Sequence, residues 1–350
     1  MERLKVASLF CGCGGMDLGI IGDFSFLDTN YPRSAFDIVY AVDNDEYCTK
    51  IYNANFEHKC VVKDVREINP SNMPDFDVLV GGFPCQSFSI SAQNPPRLGY
   101  KDEMVKILKE KRPRAFIAEN VKGLLSANHK QAFPMIMKEF SDAGYHMQYY
   151  IVNASKFGVP QKRERVIIIG FRDDIDMKNF NFSHYIPFSS VLKDVIDEKE
   201  NSNEDLYFSE KAVAGMLAVR DKMNKGRAQD LSQPCNTISA HLAKVSLNST
   251  DPVLKIGDRY RRFSCREAAR IQSFPDSFIF NVVSNIRQYK AIGNAVPPVM
   301  MWHIANSLQR AFEVSDRKQD KVPQKAYSIF PFQKGKAIQG TLFEPKVKYI

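Results

Sequence analysis

No stretch of this chain stays apolar for long. The longest runs, such as Val166 to Ile169, are far too short to cross a bilayer, so no membrane partner is expected. The first twenty residues do not resemble a secretory leader, because Glu2, Arg3, Lys5 and Asp17 stand among glycines. Cysteine is present but unpatterned: seven residues, an odd number, at 11, 13, 48, 60, 85, 235 and 265. Without a C-x-x-C pair or a histidine-rich cluster no metal site is expected, and the usage fits a reducing, cytoplasmic setting. No internal repeat or low-complexity tract is visible, which excludes solenoids and arrays. Negative charge is the minority sign. With 48 Lys and Arg against 40 Asp and Glu the net charge is +8, and a pI near 9.0 favours an anionic partner, nucleic acid first.

What is present is a globular composition, 44% hydrophobic and 25% charged, in a chain of 350 residues that can bury one large or two moderate cores. Apolar strands alternate with amphipathic helices, which predicts an α/β sheet with ligands at the carboxyl ends of its strands. Leu4 to Phe10 reads as the first strand, left through Cys11-Gly12-Cys13-Gly14-Gly15, a turn that lets backbone approach a nucleotide-like ligand. Its spacing is not G-x-G-x-x-G, so a dinucleotide dehydrogenase stays open only as a fold analogy. Asp37 to Val42 predicts a second strand closing on Asp43, a ribose ligand, the N-cap of a helix running through Ile51, or both together. Cys60 to Lys63 is a short third strand followed by Asp64.

The stretch Phe76 to Ile90 is the centre of the sequence. Val78-Leu79-Val80 has the length and branching of a buried strand, Gly81-Gly82 ends it, and Pro84 fixes the backbone before Cys85. A cysteine at the carboxyl end of a parallel strand reads either as an exposed thiolate nucleophile or as one more buried thiol. Ile90 to Lys101 reads as a mobile loop, and Asp102 to Lys111 as a short helix with Met104, Ile107 and Leu108 on one face. Arg114 to Ala118 is a fifth strand ending on Glu119-Asn120-Val121, whose carboxylate lies near Cys85 if the two strands are neighbours. A helix over Phe133 to Phe140 follows, then strands over Gln148 to Val152 and Arg165 to Phe171. Between the last two, the charge run Gln161-Lys162-Arg163-Glu164-Arg165 reads on its own as solvated surface. From Arg172 to about residue 262 the chain turns polar and irregular, the mark of a smaller domain or long insertion. Order returns in a helix from Cys265 and in a last helix through Phe312, and the basic tail from Glu313 is expected to be loosely held.

Eight segments in order carry a resemblance: FCGCGG at 10 to 15, Asp43, Asp64, GGFPCQSFS at 81 to 89, ENV at 119 to 121, QKRERV at 161 to 166, REAARIQSFPD at 266 to 276 and YKAIGNAVPP at 289 to 298. The chain resembles a bacterial DNA cytosine-5 methyltransferase of the kind that accompanies restriction enzymes. The resemblance implies a Rossmann-like S-adenosylmethionine-dependent methyltransferase sheet with a smaller, irregular target-recognition domain. It divides the chain into a catalytic and cofactor-binding domain at 1–171, target recognition at 172–262, a return at 263–312 and a tail at 313–350. It makes Cys85 the nucleophile that adds to cytosine C6, and Glu119 the carboxyl group that recognises the N3/N4 edge and keeps or shares a proton. Arg165, and less directly Arg163, anchor the base. Phe10, Gly12, Cys13, Gly14 and Gly15 meet the cofactor, Asp43 its ribose, Asp64 with Val65 its adenine, and Asn294 its methionine end. Gln86, Ser87, Ser91 and Thr237, the last with Ile238 a Thr-aliphatic pair, face duplex DNA, from which the base is flipped. Arg266, Glu267 and Arg270 join the two domains. A cytoplasmic, nucleoid-associated monomer working beside a restriction endonuclease follows from the same resemblance.

One departure stands out. Lys101-Asp102-Glu103 runs straight into Met104-Val105-Lys106, where the family carries an Arg-Gly-x-Leu-Phe segment that walls part of the cofactor pocket. The departure keeps two alternatives in view, a catalytically impaired DNA-binding relative and an RNA cytosine-5 methyltransferase.

Overall fold

The computed structural model describes residues 3–83, 100–126, 132–175, 180, 190–218, 228–243, 251–319 and 348–349. Fourteen strands and eight α-helices follow one another as β1 (Leu4–Leu9), α1 (Gly15–Ile21), β2 (Phe24–Phe26), β3 (Thr29–Tyr31), β4 (Phe36–Asp43), α2 (Glu46–Asn55), β5 (Val61–Val62), β6 (Val78–Gly81), α3 (Tyr100–Lys111), β7 (Ala115–Val121), α4 (Ala132–Asp142), β8 (Tyr145–Asn153), β9 (Gln161–Lys162), β10 (Glu164–Arg172), α5 (Glu210–Ala218), β11 (Cys235–Asn236), β12 (Leu254–Ile256), β13 (Arg259–Arg261), α6 (Cys265–Ile271), α7 (Asn285–Asn294), α8 (Pro298–Gln319) and β14 (Lys348–Tyr349) among the described residues.

Eight of the strands form one sheet in the order β14-β8-β10-β7-β6-β1-β4-β5. The pairs from β5 through β7 are parallel, whereas β10 runs antiparallel to both β7 and β8. The chain order reverses between β1 and β6, which is where an open α/β sheet leaves a crevice at its carboxyl edge. Both faces are covered, so the strands are continuously apolar. Val78, Val80, Ala115, Ile117, Ile167 and Ile169 turn to the core that holds α1 and α8. Leu79, Phe116, Ala118, Val166 and Ile168 turn to the other core, with Met104, Ile107 and Leu108 of α3 and Phe133 and Phe140 of α4. This alternation is the two-residue period of a strand read out on two buried layers.

The fold is Rossmann-like, as expected, and the differences lie at element ends. Helix α1 has no counterpart in the sequence reading, and α3 starts at Tyr100 rather than Asp102. Helix α8 continues past Phe312 into the expected tail as far as Gln319. Arg114 explains the extension: its guanidinium lies 4.4 Å from the Phe312 ring centre and is paired with Asp316. Lys348 and Tyr349 pair in parallel with Tyr150 and Ile151, adding a strand to the sheet. No described helix is long and apolar enough to cross a membrane.

From residue 190 to 261 the described backbone is mostly irregular: short 3-10 turns at Leu192–Asp194, Glu198–Ser202 and Glu204–Leu206, then helix α5 and the short strands β11, β12 and β13. Glu267 at the start of α6 anchors it. Its carboxylate takes two 2.8 Å hydrogen bonds from Arg261, both side chains being fully buried, and accepts one from the Asp197 amide. Arg270 pairs with Asp276 at 2.7 Å and reaches Asp197 at 3.8 Å. Arg266 departs from the expected joining role. It donates to the carbonyls of Pro275 and Phe278 within its own segment.

Candidate active site at the carboxyl edge of the sheet

Strand β7 delivers the acidic group. Gly81 is registered against Ala118, so Glu119 emerges beside Gly82, and a Cβ on Gly82 would stand 2.9 Å from Glu119 Oε2. Glycine lets the backbone at position 82 pass this close to the carboxylate without displacing it. Asn120 then donates from Nδ2 to the Phe83 carbonyl at 2.9 Å, fixing the chain two residues before Cys85. Cys85, Gln86, Ser87 and Ser91 lie outside the described residues. Because β10 is antiparallel, its amino end arrives at the same edge as the carboxyl ends of β6 and β7, with Arg165 registered on Val121. Arg165 Nε donates to Glu119 Oε1 at 2.9 Å, and both side chains are nearly buried, 12% and 13% exposed. A half-desolvated carboxylate–guanidinium pair of this kind holds its geometry and strengthens its field.

Arg163 sits deeper than Arg165. It is 2% exposed, and its two terminal nitrogens donate to the carbonyls of Ile238 at 3.2 Å and Gly293 at 3.0 Å. Burial, and then the neighbouring charge of Arg165, pull its ionisation down to about 9. Thr237, by contrast, is exposed and donates to the Lys162 carbonyl at 2.8 Å.

The other flank of the crevice is the turn after β1. Phe10 adopts the left-handed φ of 53°, and Gly14, at φ 91°, caps α1 in a conformation that suits glycine. The Gly12 amide donates to Asp43 Oδ2 and the Asp45 amide to Oδ1, each at 2.8 Å. Of the two roles left open for Asp43, helix capping belongs instead to Asp45, whose side chain accepts from the amides of Tyr47 and Cys48. Burial raises the Asp43 carboxyl above its ordinary value against these amide contacts. Lys290 of α7 closes the rim with a 2.7 Å bond to Asp45.

Asp64 caps the turn Val65–Glu67, and Arg66 occupies both of its oxygens, lowering its ionisation. Val65 is 3% exposed and packs in the core of α3. Cys13 points away from the crevice, its Sγ 3.7 Å from the Ala291 carbonyl, and burial pushes it up to about 12. Asn294 is exposed at the end of α7. Among the described residues, burial also raises Cys11, Cys48, Cys235 and Cys265, so none of these thiols is poised as a thiolate.

Two further residues were not anticipated. Asn120 is one; it is 3% exposed, and its signal is an amide that follows Glu119 at the end of an apolar run. Asp17 is the other. Fully buried, it accepts from Ser8 Oγ at 2.6 Å and Tyr52 OH at 2.8 Å, and burial lifts it to about 6 against those bonds. A lone acid within Gly15–Ile21, otherwise without charge, was the available clue.

The crevice suits S-adenosylmethionine. Nothing lies within 4 Å of the position a Cβ on Gly12 would take, leaving open space above the turn. The Asp43 carboxylate at its base, an acceptor only when ionised, offers remaining lone pairs to hydroxyl donors.

Residues 4–310 match the family described as C-5 cytosine-specific DNA methylase. The Type II methyltransferase M.FnuDI of Fusobacterium nucleatum is 33% identical over 92% of this chain and 99% of its own. M.Bsp6I of Bacillus sp. (strain RFL6) is 31% identical over 88% and 99%. Among solved structures, a DNA modification methyltransferase encoded within an E. coli prophage superposes with a TM-score of 0.68 at 22% identity, covering 89% of this chain and all of that one. The S. pombe Dnmt2 methyltransferase gives 0.67 at 18%, covering 88% and 99%. These likenesses favour neither of the alternatives that the shortened α3 had kept in view. With an acid, its arginine partner and a cofactor crevice along one sheet edge, and with the match running through nearly the whole described body, the chain belongs to the C-5 cytosine-specific DNA methylase family and is a DNA cytosine-5-methyltransferase that uses S-adenosylmethionine.

Proposed function

We propose that the protein methylates C5 of a flipped-out cytosine at one duplex sequence, through a covalent bond between Cys85 and C6. The observation that carries this reading is the Glu119–Arg165 pair set against Gly82, with Asn120 holding the Phe83 carbonyl. The cytosine ring is not nucleophilic at C5. Addition of the Cys85 thiolate to C6, with a proton shared at N3 by Glu119, makes C5 enamine-like. Arg165 keeps Glu119 in place and carries positive charge toward the base. Asp43, the Gly12 turn, Asp64 with Val65, and Asn294 hold S-adenosylmethionine, which when bound supplies the electrophilic methyl group that C5 takes. Loss of the C5 proton to solvent, with return of the N3 proton, then breaks the C6–S bond, leaving 5-methylcytosine, the free Cys85 thiolate and S-adenosylhomocysteine as products. Residues 172–262 read the sequence, with Thr237, Gln86, Ser87 and Ser91 toward DNA. The protein acts as a cytoplasmic monomer at the nucleoid and shields host sites from a restriction endonuclease. The Type II relatives support that pairing.

Incubation with labelled S-adenosylmethionine and mixed-sequence duplexes, followed by bisulfite sequencing, reports activity and target together. A duplex with 5-fluorocytosine at that target blocks proton loss, so a denaturant-stable adduct is expected. Cys85→Ala should abolish the adduct and cut turnover by about 10⁴-fold or more, while phosphate contacts keep DNA binding. An undiminished adduct in that variant transfers the role to another cysteine.

A further inference from the structure

Three buried side chains tie the sequence-reading flank to the cofactor flank. Gln161, Arg163 and Gln272 are each at most 2% exposed. Arg163 bridges the Ile238 and Gly293 carbonyls. Gln161 Oε1 accepts from the Ile238 amide at 3.0 Å, while its Nε2 donates to Gln272 Oε1 at 2.9 Å. Gln272 Nε2 in turn donates to the Ile292 carbonyl at 2.7 Å. One network therefore holds both backbone polar groups of Ile238 and two successive carbonyls at the end of α7, the first of which, that of Ile292, also accepts from the Ala295 amide at 3.1 Å. The flanking residues face outward: Thr237 precedes Ile238, Asn294 follows Gly293, and both are exposed.

This network is costly for stability alone. Arg163 Nε has no hydrogen-bond partner among the described residues, and a buried cation without a contacting carboxylate is a poor substitute for an apolar side chain. Its reach suits a different purpose. Strand β10, which carries Arg165 to Glu119, begins one residue after Arg163, so one short segment touches the reacting edge, the Thr237 segment and the Asn294 turn.

We propose that Arg163 is a positioning residue: with Gln161 and Gln272 it locks the segment bearing Thr237 to the turn bearing Asn294, so that duplex and cofactor strengthen each other's binding. The inference rests on the reading above that Thr237 faces DNA and Asn294 the cofactor. Two ligands coupled in this way change each other's affinity by one common factor. Contiguity of contacts does not itself demonstrate coupling, so the factor must be measured.

The test is calorimetry of S-adenosylhomocysteine binding with and without a duplex carrying the methylated sequence, for the full chain and for Arg163→Gln, Arg163→Lys and Gln272→Met. The unaltered protein should bind the cofactor product about tenfold more tightly on DNA. In Arg163→Gln and Gln272→Met that factor should fall toward one, and in Gln272→Met binding of each ligand alone should be little changed. Arg163→Lys, able to reach one carbonyl only, should fall between. The Gln272 variant decides the matter even where an Arg163 variant fails to fold, since Gln272 touches neither ligand in this reading. An unchanged factor in Gln272→Met overturns the clamp, whether or not Arg163→Gln loses it, and so does a factor of one in the unaltered protein. Failure of the unaltered protein to bind either ligand instead rejects the functional reading beneath it.

Discussion

The central sheet and the stretch from residue 190 to 261 are held together by different mixtures of apolar burial and charge. In the sheet, Ala115 to Ala118 and Val166 to Ile169 are all 0% exposed, packed on both faces by helices. Each of the larger side chains among them, Phe116, Ile117 and Val166 to Ile169, contributes roughly 1.5–3 kcal/mol through burial. Between residues 190 and 261 the described elements other than α5 are a few residues long; Leu192, Val195, Ile238 and Leu254 reach into the sheet's core, and charge adds Arg261 to Glu267, Arg259 to Glu204 and Arg270 to Asp276. Exposed pairs such as Arg259–Glu204 contribute little. The difference follows from the tasks. Glu119 and Arg165 keep one geometry, which a two-sided core supports. Sequence reading needs loops that change without unfolding the body that supports them.

Exchanging residues 172–262 for the corresponding region of a relative tests that division most severely. The chimera should methylate the relative's sequence, a change in preference of about 10³-fold or more, at a turnover close to the original. Bisulfite sequencing reads the outcome. A folded chimera that still methylates the original site places recognition in the sheet and breaks the comparison.

The buried ion pair comes next. Glu267→Gln leaves Arg261 charged, fully buried and unmatched, and should destabilise the protein by about 3–5 kcal/mol. The double change Arg261→Met with Glu267→Gln should recover part of that loss. Urea midpoints decide, and a loss under about 1 kcal/mol in the single variant would mean water reaches the pair on relaxation.

Asp17 sharpens the sheet side. Its carboxyl titrates at about 6 when folded and near 3.8 when free, so between those values the folded state binds the extra proton. Stability from this group is therefore present below pH 3.8, falls as pH rises through 6, and is level above. The difference between the two titrations is worth about 3 kcal/mol. The stability of Asp17→Asn relative to the original chain should improve by about that much between about pH 4 and pH 7. A difference independent of pH would place Asp17 in contact with water.

The smallest effect is expected at α3. Met104, Ile107 and Leu108 already pack in the core that holds Val65. Inserting Arg-Gly-Lys-Leu-Phe-Phe-Glu after Glu103 should therefore tighten S-adenosylmethionine binding by less than about tenfold, or 1.4 kcal/mol. A larger gain in calorimetry, matched by faster methyl transfer, would show that the short helix leaves the crevice without a wall.

Much of this molecule is written locally. A continuous apolar run bounded by glycine and acid sets strand, turn and site edge within a dozen residues, which is why β1, β4, β6 and β7 and the placing of Glu119 near the end of β7 are legible in the sequence alone. Composition likewise marks the polar stretch after Arg172. Tertiary structure decided what depends on distant partners. Asp43 and Asp45 look equally fit to cap α2, and the Gly12 amide, 31 positions away from Asp43, settles which one does not. The run around Arg163 reads as solvated surface until the chain brings Ile238 and Gly293, 75 and 130 positions away, to its guanidinium. Asp17 is an ordinary helix-start acid until Tyr52 and Ser8 close over it. Local sequence fixes which backbone shapes are available, but the burial that sets a charge's energy arises only when remote segments pack around it.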